Sequence, residues 1–599
     1  MNVLDVQEEI INLEREIATL PSGSITKKKI KNGIYYYHRI NINGKRKEIY
    51  VDSNRVDELK LQIEKRKKLV EKVKSLQSLL TNNSTDYYDS IINNTMFHTD
   101  IRIGENLKKY SLYVKKFKKR ECFRELKDFI YDENTEKIMI LYGLRRTGKS
   151  TLIRQVIGDM NDSLLSHTAF IQVKSSNTLA DLNADIKLLE SHEYKYIFID
   201  EVTLLKDFIE GAGLFSDIFA ASGMKIILSG TDSLGFLFSE DEQLFDRAIM
   251  IHTTFISYRE FENIIGIKGI DEYIRYGGTM SLSGNNYNDE SIFANTRRTS
   301  EYIDSAIAKN IQHSLQYYQN GTHFRSLYEL YKKNELTSVI NRIIEDMNHR
   351  FTIETLTRTF ISNDLAISSK NLRHYRKLPT DILDYIDVET LTKKLKNILE
   401  ILNKEEQKVE INDSQIIEIK EYLGLLDLIM DVDVEYLPVG KAKNKTTVIT
   451  QPGMRYVQAQ ELLELLISDR LFEELDIRER NYILERIRNE IMGRMMEEIV
   501  LLETKLACPK LNVFKLQFSI GEFDMVVADP KKLTCKIYEI KHSKEVIDSQ
   551  YRHLIDENKC KQTEHRYGEI VGKYVIYRGE HSINNGIEYI NVEDYLRNI

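Results

Sequence analysis

KIMILYGLRRTGKSTLIRQVI, residues 137–157, is the most informative segment of the chain for its fold. Its apolar residues from Ile138 to Leu141 predict a short buried strand, and a helical pattern begins at Thr151. Between them, residues 143–150 spell GxxxxGKS. Glycines let successive backbone N–H groups turn inward around a phosphate, and the helix N-terminus adds its positive dipole. The segment therefore predicts a phosphate-binding loop at the end of a strand.

The residue types of this loop predict how it holds a nucleotide. Lys149 is expected to reach the β- and γ-phosphates, and the Ser150 hydroxyl is expected to ligate Mg²⁺. The other residues that we expect around the phosphates are Gly143, Leu144, Arg145, Arg146, Thr147, Gly148 and Thr151. An ordinary glycine turn is the alternative, and the strand–loop–helix setting argues against it.

A second apolar strand, YKYIFIDE at residues 194–201, ends in two acidic residues. At the carboxyl edge of a parallel sheet, Asp200 would hold the Mg²⁺ and its water shell, and Glu201 would polarise the attacking water. The next strand, KIILSGTD at 225–232, ends in small polar residues where a γ-phosphate sensor would lie. Thr231 is the predicted sensor, with Ser229 and Asp232 as close candidates. The alternative is that these are ordinary loop residues at a strand end.

Five segments together resemble the archaeal-type AAA+ ATPases: FKKRECFRELKDFI (117–130), GLRRTGKS, FIDEV, ILSGTDS and DRAIMIHTTFISYREF (246–261). The resemblance implies ATP as the nucleotide, with Phe117, Arg120 and Glu121 shaping the adenine pocket. YIRYGGT (273–279) and EYIDSAIAKNI (301–311) resemble the helical lid of that family.

The same resemblance makes Arg247 a candidate arginine finger or γ-phosphate contact. The glycine that usually precedes this arginine in the family is Asp246 here, and a surface arginine leading into the last strand is the alternative. A finger acting in trans would require a ring or dimer, so a homo-oligomer is one expected arrangement, whereas a finger in cis would allow a monomer.

The C-terminal region contains a second group of charged residues. GEFDMVVA (521–528) reads as an alternating strand and KIYEIKHS (536–543) as its partner. Alternation places Glu539 and Lys541 on one face, and pairing across the turn brings Asp524 beside them. The alternative is a set of ordinary surface ion pairs.

This D…ExK pattern resembles the PD-(D/E)xK nucleases, in which a preceding helix also carries a glutamate. In GRMMEEIVLLE that glutamate is Glu497 or Glu498, and the family spacing from Gly493 favours Glu497. The resemblance implies that Asp524 and Glu539 bind Mg²⁺ or Mn²⁺ and that Lys541 positions or deprotonates the water.

The N-terminal segment predicts a helical hairpin around a small β-meander. Residues 25–51 contain two Asn-Gly steps, and the amphipathic stretches 3–20 and 53–80 read as helices on either side. Residues 1–80 contain 17 Lys/Arg and 11 Asp/Glu, with tyrosines among the basic residues. A basic sheet that carries aromatic side chains suits nucleic acid, which it contacts through phosphates and stacked bases. A solvated helical hairpin is the alternative.

The composition excludes several classes of protein. The 599 residues are 42% hydrophobic and 30% charged, enough for several cores, and no apolar run of membrane-spanning length occurs. The polar start MNVLDVQEEI lacks a secretory signal, and four scattered cysteines suit a reducing compartment, so we expect a cytoplasmic protein without membrane contact. The net charge of −7 means that nucleic-acid binding would depend on local patches.

The predicted fold is a multidomain α/β chain with a P-loop AAA+ parallel sheet. The domains are a helical hairpin with meander (1–80), a linker (81–104), the ATPase core (105–262), a helical lid (263–340), a winged-helix-like or helical middle (341–480) and a PD-(D/E)xK α/β domain (481–599). A spacer packed on the lid is the alternative for the middle segment. The predicted function is ATP-controlled, metal-dependent cleavage of nucleic acid, with DNA favoured. An ATP switch attached to a nuclease suits either defence against foreign DNA or the maintenance of a mobile element. The alternative is an ATP-dependent switch or remodeller whose nuclease-like domain only binds DNA or a partner.

Overall fold

The structure is a computed structural model of the chain. It describes residues 13, 17, 20–30, 33–42, 45–82, 97–132, 136–231, 236, 244–253, 255–279, 295–317, 324–361, 411–437, 444–467 and 477–599. The chain forms two compact units, Met1–Phe97 and His98–Ile599. In the part of the chain just specified, no helix is both long enough and apolar enough to cross a membrane.

The first unit contains the predicted meander. Its antiparallel strands and the helix that follows are β1 (Ser24–Ile30), β2 (Gly33–Ile42), β3 (Lys45–Val51) and α1 (Val56–Asn82). The predicted turn residues Asn32, Asn43 and Gly44 lie outside the described residues. Pairing of Ile30 with Gly33 and of Ile42 with Lys45 leaves two residues for each connection, which is the length of a tight hairpin.

Most of the first predicted helix, residues 3–20, lies outside the described residues. Leu13 and Ile17 are described, and they pack against Leu69 and Val73 on α1. Leu13 and Ile17 are four residues apart, as are Leu69 and Val73, so each pair lies on one helical face. This contact joins the two segments of the predicted helical hairpin, which itself stays a prediction.

The second unit contains the predicted parallel sheet. Its strands are β4 (Asp100–Arg102), β5 (Ile138–Tyr142), β6 (Thr168–Gln172), β7 (Tyr196–Asp200), β8 (Lys225–Gly230) and β9 (Ala248–His252). The spatial order is β4-β6-β7-β8-β5-β9, and every neighbouring pair is parallel except β4 with β6. The carboxyl ends of β5, β7 and β8 therefore meet at one edge of the sheet.

Helices and short helical turns surround this sheet. They are α2 (Gly104–Leu112), α3 (Phe123–Tyr131), α4 (Lys149–Asp159), α5 (Asp162–Leu165), α6 (Leu179–Ser191), α7 (Phe208–Gly211) and α8 (Tyr258–Glu260), with 3₁₀ or π turns at Val202–Leu204, Phe215–Ala220 and Phe261–Ile265. All five residues of β5 are buried, because helices cover both faces of the strand.

The predicted linker differs from the structure at its end. The sequence predicts no regular structure over residues 81–104, but β4 pairs with the edge of β6. The buried carboxylate of Asp185 on α6 accepts the Thr99 N–H at 2.8 Å and the Thr99 hydroxyl at 2.6 Å. This anchor comes from a residue 86 positions away, so the Asn- and Ser-rich sequence before β4 does not reveal it.

Helices follow the sheet in the predicted lid region and beyond. They are α9 (Ile270–Tyr276), α10 (Thr296–Tyr302), α11 (Lys309–Tyr317), α12 (Arg325–Lys332), α13 (Leu336–Ile361), α14 (Asp413–Leu425) and α15 (Pro452–Ile467), with a π turn at Ile303–Ala308. Ile307, Leu327 and Ile340 form one buried core with Tyr422 of α14. Helix α14, which is predicted in the middle domain, thus packs with the lid.

The C-terminal region forms a large mixed sheet behind the long helix α16 (Ile477–Ala507). Its strands and helices are β10 (Ile429–Tyr436), β11 (Asn444–Ile449), β12 (Asn512–Gln517), β13 (Glu522–Asp529), β14 (Thr534–Lys541), α17 (Glu557–Tyr567), β15 (Glu569–Tyr577), β16 (Ser582–Asn584), β17 (Ile587–Asn591) and α18 (Val592–Asn598), with a 3₁₀ turn at Asp548–Tyr551. The spatial order is β11-β10-β12-β13-β14-β15-β17-β16. Helix α16 packs on one face of this sheet and α17 on the other.

The predicted winged-helix-like middle also differs from the structure. A helix followed by a hairpin is present as α14, β10 and β11, but β10 pairs in parallel with β12 of the C-terminal sheet. The sheet therefore crosses the predicted boundary at residue 480. An uncovered edge strand exposes unpaired backbone groups, and the hairpin covers that edge of β12. The segment 362–410, which includes part of the predicted module, lies outside the described residues.

Candidate functional sites

The loop between β5 and α4 has the backbone shape that GxxxxGKS predicts. Gly143 and Gly148 adopt φ values of 136° and 93°, a region that favours glycine. A Cβ atom at Gly143 would collide with the carbonyl oxygen of Thr253. The loop therefore needs glycine at position 143 for both its backbone angle and its close packing.

The buried Lys149 side chain is held by the loop itself. Its Nζ donates to the carbonyl oxygens of Gly143 at 2.7 Å and Leu144 at 2.8 Å. Burial lowers the pKa of this ammonium to about 8, although the charges of Glu201 and Asp200 oppose the shift. A buried ammonium whose bonded partners are neutral carbonyls favours an incoming anion such as phosphate.

Asp200 brings together the ends of three elements. Its carboxylate is buried and accepts the Ser150 hydroxyl at 2.8 Å through Oδ2 and the Ser229 hydroxyl at 2.7 Å through Oδ1. The start of the loop helix and the end of β8 are thus bound to the end of β7. Hydroxyl and carboxylate oxygens are the ligands that Mg²⁺ prefers, so the predicted pair Ser150 and Asp200 fits that ion.

Glu201 and Thr231 line the same cavity. The Thr231 hydroxyl donates to Glu201 Oε2 at 3.2 Å. Burial, together with the neighbouring charge of Asp200, raises the pKa of Glu201. The cavity has a volume of about 520 Å³ and is lined by Arg145, Arg146, Gly148, Lys149, Ser150, Thr151, Glu201 and Thr231. A volume of this size falls within the range of ligand pockets, which is ~300–1,000 Å³.

Two residues singled out by the resemblance, Arg120 and Phe117, lie outside the cavity, and only Arg120 contacts the loop. The buried Arg120 donates through Nη1 to the Thr147 carbonyl at 2.8 Å and pairs with the carboxylate of Glu260. Phe117 packs edge-on against Tyr113, with ring centroids 5.7 Å apart. Neither residue lines the cavity around the phosphate loop. An adenine-binding role for them stays a prediction.

Glu121, the third residue of that group, forms an ion pair on the surface. Its carboxylate accepts the Arg259 Nη2 at 2.7 Å. This contact joins the segment before α3 to α8. The predicted contribution of Glu121 to an adenine pocket stays a prediction.

Arg247 also lies outside the residues that line the cavity. Its guanidinium is half exposed and forms an ion pair with Asp217 at 2.7 Å. In this arrangement the side chain is directed to Asp217 and not to the phosphate loop. A γ-phosphate contact, in cis or in trans, stays a prediction.

Comparison with known proteins agrees with this geometry. A family model described as "AAA domain" matches residues 135–262. The chain contains an AAA+ P-loop ATPase domain. A second family model, described as "Domain of unknown function (DUF6788)", matches residues 3–61.

Several solved structures resemble parts of this chain. They include an Hsp104:casein complex of S. cerevisiae (16% identity, 27% of this chain and 31% of that chain, TM-score 0.22), C. elegans PCH-2 (18%, 29% and 47%, 0.17) and the Aeropyrum pernix ORC1 protein in complex with DNA (12%, 61% and 98%, 0.22). The chain spans less than half the length of the Hsp104 and PCH-2 chains. No curated protein matches the sequence.

Outside the ATPase domain, the predicted residues Asp524, Glu539 and Lys541 meet on β13 and β14. Asp524 Oδ2 accepts the Ile540 N–H at 2.8 Å and the Lys541 Nζ at 2.7 Å. The Lys541 Nζ also lies 2.6 Å from Glu539 Oε2. The ammonium therefore bridges two carboxylates whose side chains are almost completely buried.

The electrostatics of the two carboxylates differ. Burial opposes ionisation of Asp524, but the charges of Lys541 and Lys515 outweigh it and hold its pKa below the usual range. Burial and the charge of Asp524 instead raise the pKa of Glu539 well above the usual range. Glu539 Oε1 is buried without a hydrogen-bond partner. An orphaned carboxylate oxygen beside a second carboxylate is the donor arrangement that a divalent cation would complete.

The two candidate glutamates of α16, Glu497 and Glu498, are adjacent in the helix and therefore face different directions. Glu497 Oε2 lies 3.3 Å from the Lys515 Nζ on β12, whereas Glu498 pairs with Arg455 on α15. Of the two, Glu497 therefore faces the carboxylate–lysine site, and its role there stays a prediction. Across the described residues, however, no group of three or more His, Cys, Asp or Glu side chains is arranged to hold a metal ion.

Some residues of both sites had little or no signal in the sequence. Lys515 is nearly buried and lies between Glu497 and Glu522, at 3.3 and 3.2 Å. The one feature of the sequence that could have pointed to Lys515 is that a charged residue lies inside the apolar strand NVFKLQ. Glu260, the partner of Arg120, had no local signal because the two residues are 140 positions apart.

Proposed function

We propose that the ATPase domain controls a divalent-metal-dependent nuclease centred on Asp524, Glu539 and Lys541. DNA is the favoured substrate, Mg²⁺ or Mn²⁺ the ion, and defence against foreign DNA the biological role. The observation that carries the nuclease assignment is the unpartnered, buried Glu539 Oε1 next to the Asp524 carboxylate. Buried carboxylate oxygens usually have a hydrogen-bond partner, and a cation bound between the two carboxylates would supply one.

In the ATPase domain, Lys149 exchanges its loop carbonyls for the β- and γ-phosphates of ATP. Ser150 and Asp200 would hold Mg²⁺, which would neutralise phosphate charge. Glu201 accepts a hydrogen bond from the attacking water, since its raised pKa makes it a better base than an ordinary carboxylate. Thr231 orients the Glu201 carboxylate through their 3.2 Å hydrogen bond.

In the C-terminal site, Asp524 and Glu539 would hold the ion, which would supply positive charge beside the scissile phosphate. The Ile540 N–H keeps the Asp524 carboxylate oriented. Lys541 releases the carboxylates that it bridges and holds the nucleophilic water. Glu497 positions Lys515, whose ammonium adds positive charge at the same edge.

A chain of contacts supports coupling between the two sites. Arg120 joins the Thr147 carbonyl of the phosphate loop to Glu260 on α8. The Tyr258 N–H at the start of α8 donates to Glu503 of α16 at 2.8 Å, and α16 also carries the glutamate that faces the carboxylate–lysine site. A displacement of the loop on ATP binding would therefore reach the helix that borders the nuclease site.

A second candidate function has its own support. Lys541 bonds to both carboxylates, and such a bridge neutralises much of their charge without any ion. In this alternative the C-terminal domain binds DNA or a partner under ATP control and does not cleave.

The deciding experiment incubates the purified chain with plasmid DNA, single-stranded DNA or RNA, with Mg²⁺, Mn²⁺ or a chelator, and with or without ATP. We expect chelator-sensitive cleavage that D524N and E539Q each abolish. E545Q removes an exposed carboxylate a few residues after the site and should cleave like the unmodified protein. If every substrate stays intact under all conditions, or if D524N cleaves normally, the second candidate function replaces the first.

A further inference from the structure

The β-meander of the first unit is a strongly basic segment in an acidic chain. Residues 24–51 contain eight Lys/Arg and one acidic residue, Glu48, whereas the net charge of the whole chain is −7. Neither the ATPase site nor the carboxylate–lysine site uses this segment. A local surplus of seven positive charges favours a polyanionic ligand.

The strand register sorts the side chains of the meander onto two faces. Tyr37 lies opposite Thr26 on β1 and opposite Tyr50 on β3. Residues two positions apart share a face, so Lys28 and Arg39 lie on the same face as these tyrosines. We call the set of Thr26, Lys28, Tyr37, Arg39 and Tyr50 the tyrosine face. The register places Glu48, which lies opposite Arg39, on the same face.

Aromatic and cationic groups lie close together on the tyrosine face. The Tyr37 and Tyr50 rings are 6.0 Å apart and inclined at 73°. The Lys28 Nζ lies 5.0 Å from the centre of the Tyr37 ring. Tyr50 is 56% exposed, so much of the surface of this large aromatic side chain can be covered by a stacked base.

The opposite face of the meander is oriented toward α1. Tyr36 belongs to that face, and the Lys60 Nζ of α1 lies 5.8 Å from its ring. Lys27 and Ile49 share the Tyr36 face by register. The helix therefore approaches the sheet from the Tyr36 side, and the tyrosine face is on the other side.

We propose that the tyrosine face binds single-stranded nucleic acid. Tyr37 and Tyr50 stack on unpaired bases, and Lys28 and Arg39 contact the adjoining phosphates. Paired bases in a duplex have their faces buried in the stack, so an exposed ring such as that of Tyr50 favours single strands. Stacking tolerates any base, so the site selects strandedness rather than sequence.

Binding of a fluorescently end-labelled single strand to the full chain tests this site, by anisotropy in chelator and without nucleotide. We expect Y50A to weaken binding about 10-fold, in line with the loss of one stacked base, and Y50F to retain it. K28Q should weaken binding a few-fold and reduce the slope of log affinity against log salt by about 0.7, as expected for one lost phosphate contact.

Matched controls come from the other face of the same strands. K27Q removes the same charge one residue away, and I49A truncates the side chain that precedes Tyr50. Both should bind within about two-fold of the unmodified protein, because stacking and phosphate contacts are made on the tyrosine face. Equal weakening by K27Q and K28Q, or unchanged binding by Y50A, would overturn the proposal.

Two further measurements distinguish the single-strand site from the nuclease site and from a membrane-binding surface. Because strand binding is measured in chelator, a strand that binds but stays uncleaved when Mg²⁺ is added counts against the nuclease assignment alone. The second measurement tests binding to phosphatidylserine vesicles. If the protein binds these vesicles but not the single strand, and Y50A abolishes the vesicle binding, the face binds anionic membranes and the nucleic-acid proposal is refuted.

Discussion

The two candidate sites combine the same groups, one lysine and two carboxylates, in opposite ways. In the ATPase domain, Lys149 donates to backbone carbonyls, and serine and threonine hydroxyls hold Asp200 and Glu201. In the C-terminal site, Lys541 bonds directly to two carboxylates. The first site keeps its cation and anions apart around an open cavity, whereas the second joins them.

The pKa shifts follow from this difference. Burial without a bonded carboxylate lowers the pKa of Lys149 to about 8. Burial acts on Lys541 in the same direction, but Asp524 and Glu539 outweigh it and raise the pKa of that ammonium. A separated arrangement can accept both an anion and a cation, while a joined one must release its lysine before a metal ion binds. Substitutions at both sites, and on the helix between them, test this contrast.

The largest effect is expected from Glu201, the proposed base of the open site. E201Q should reduce ATP turnover by about 1,000-fold with little change in ATP affinity, because an amide polarises water poorly. Steady-state hydrolysis and calorimetric titration with ATP measure the two quantities. Wild-type turnover in this variant would exclude Glu201 from the mechanism.

Removal of the lysine should affect the two sites differently. K149A should weaken ATP binding by roughly 100-fold, since a buried charge-assisted contact to phosphate is lost. K541A serves as the control, because the corresponding charge is then removed from the other site, and it should leave ATP affinity unchanged. Calorimetry on both variants checks this, and equal losses would show that the sites are not electrostatically separate.

The joined site should depend on its lysine for stability. K541M leaves two buried carboxylates without the ammonium that bridges them, and we expect a loss of ~2–4 kcal/mol. Mn²⁺ should restore the melting temperature of K541M more than that of the unmodified protein, where Lys541 competes with the ion. K544M, at an exposed lysine a few residues along the chain, should behave like the unmodified protein in thermal melts.

The smallest effect concerns the helix that links the sites. Burial raises the pKa of Glu503 on α16 to about 7. Between its ordinary value and about 7 the folded state binds more protons than the unfolded state, so stability falls as pH rises through that window. The free energy of unfolding of E503Q, measured relative to that of the unmodified protein, should therefore rise by ~1–2 kcal/mol as the pH goes from about 5 to about 7.

Denaturation at these two pH values measures the gap between E503Q and the unmodified protein. Glu545 is an exposed glutamate of the same C-terminal region, so E545Q provides the reference and should show no such change. A gap that does not change with pH would mean that Glu503 is ionised alike in the folded and unfolded states.

Much of both sites could be predicted because the signals are local. The loop of residues 143–150 lies directly between its strand and its helix, and Asp524 reaches Lys541 across one hairpin. The edge strand β4 and the pairing of β10 with β12 could not be predicted. Each depends on a partner strand that is distant in the sequence, and short apolar runs carry no information about which edge they will meet.

The residue types of the two sites, and the strands and helices that carry them, follow from the sequence alone. Spacing along one strand or one turn of helix is enough for that, because backbone geometry is periodic. The bonding became clear only in three dimensions: Lys541 bridges two carboxylates, Lys149 binds carbonyls, and Arg120 pairs with Glu260 rather than lining the nucleotide cavity. These contacts depend on burial and on side chains brought together from distant positions, which set the electrostatic energy of each charge.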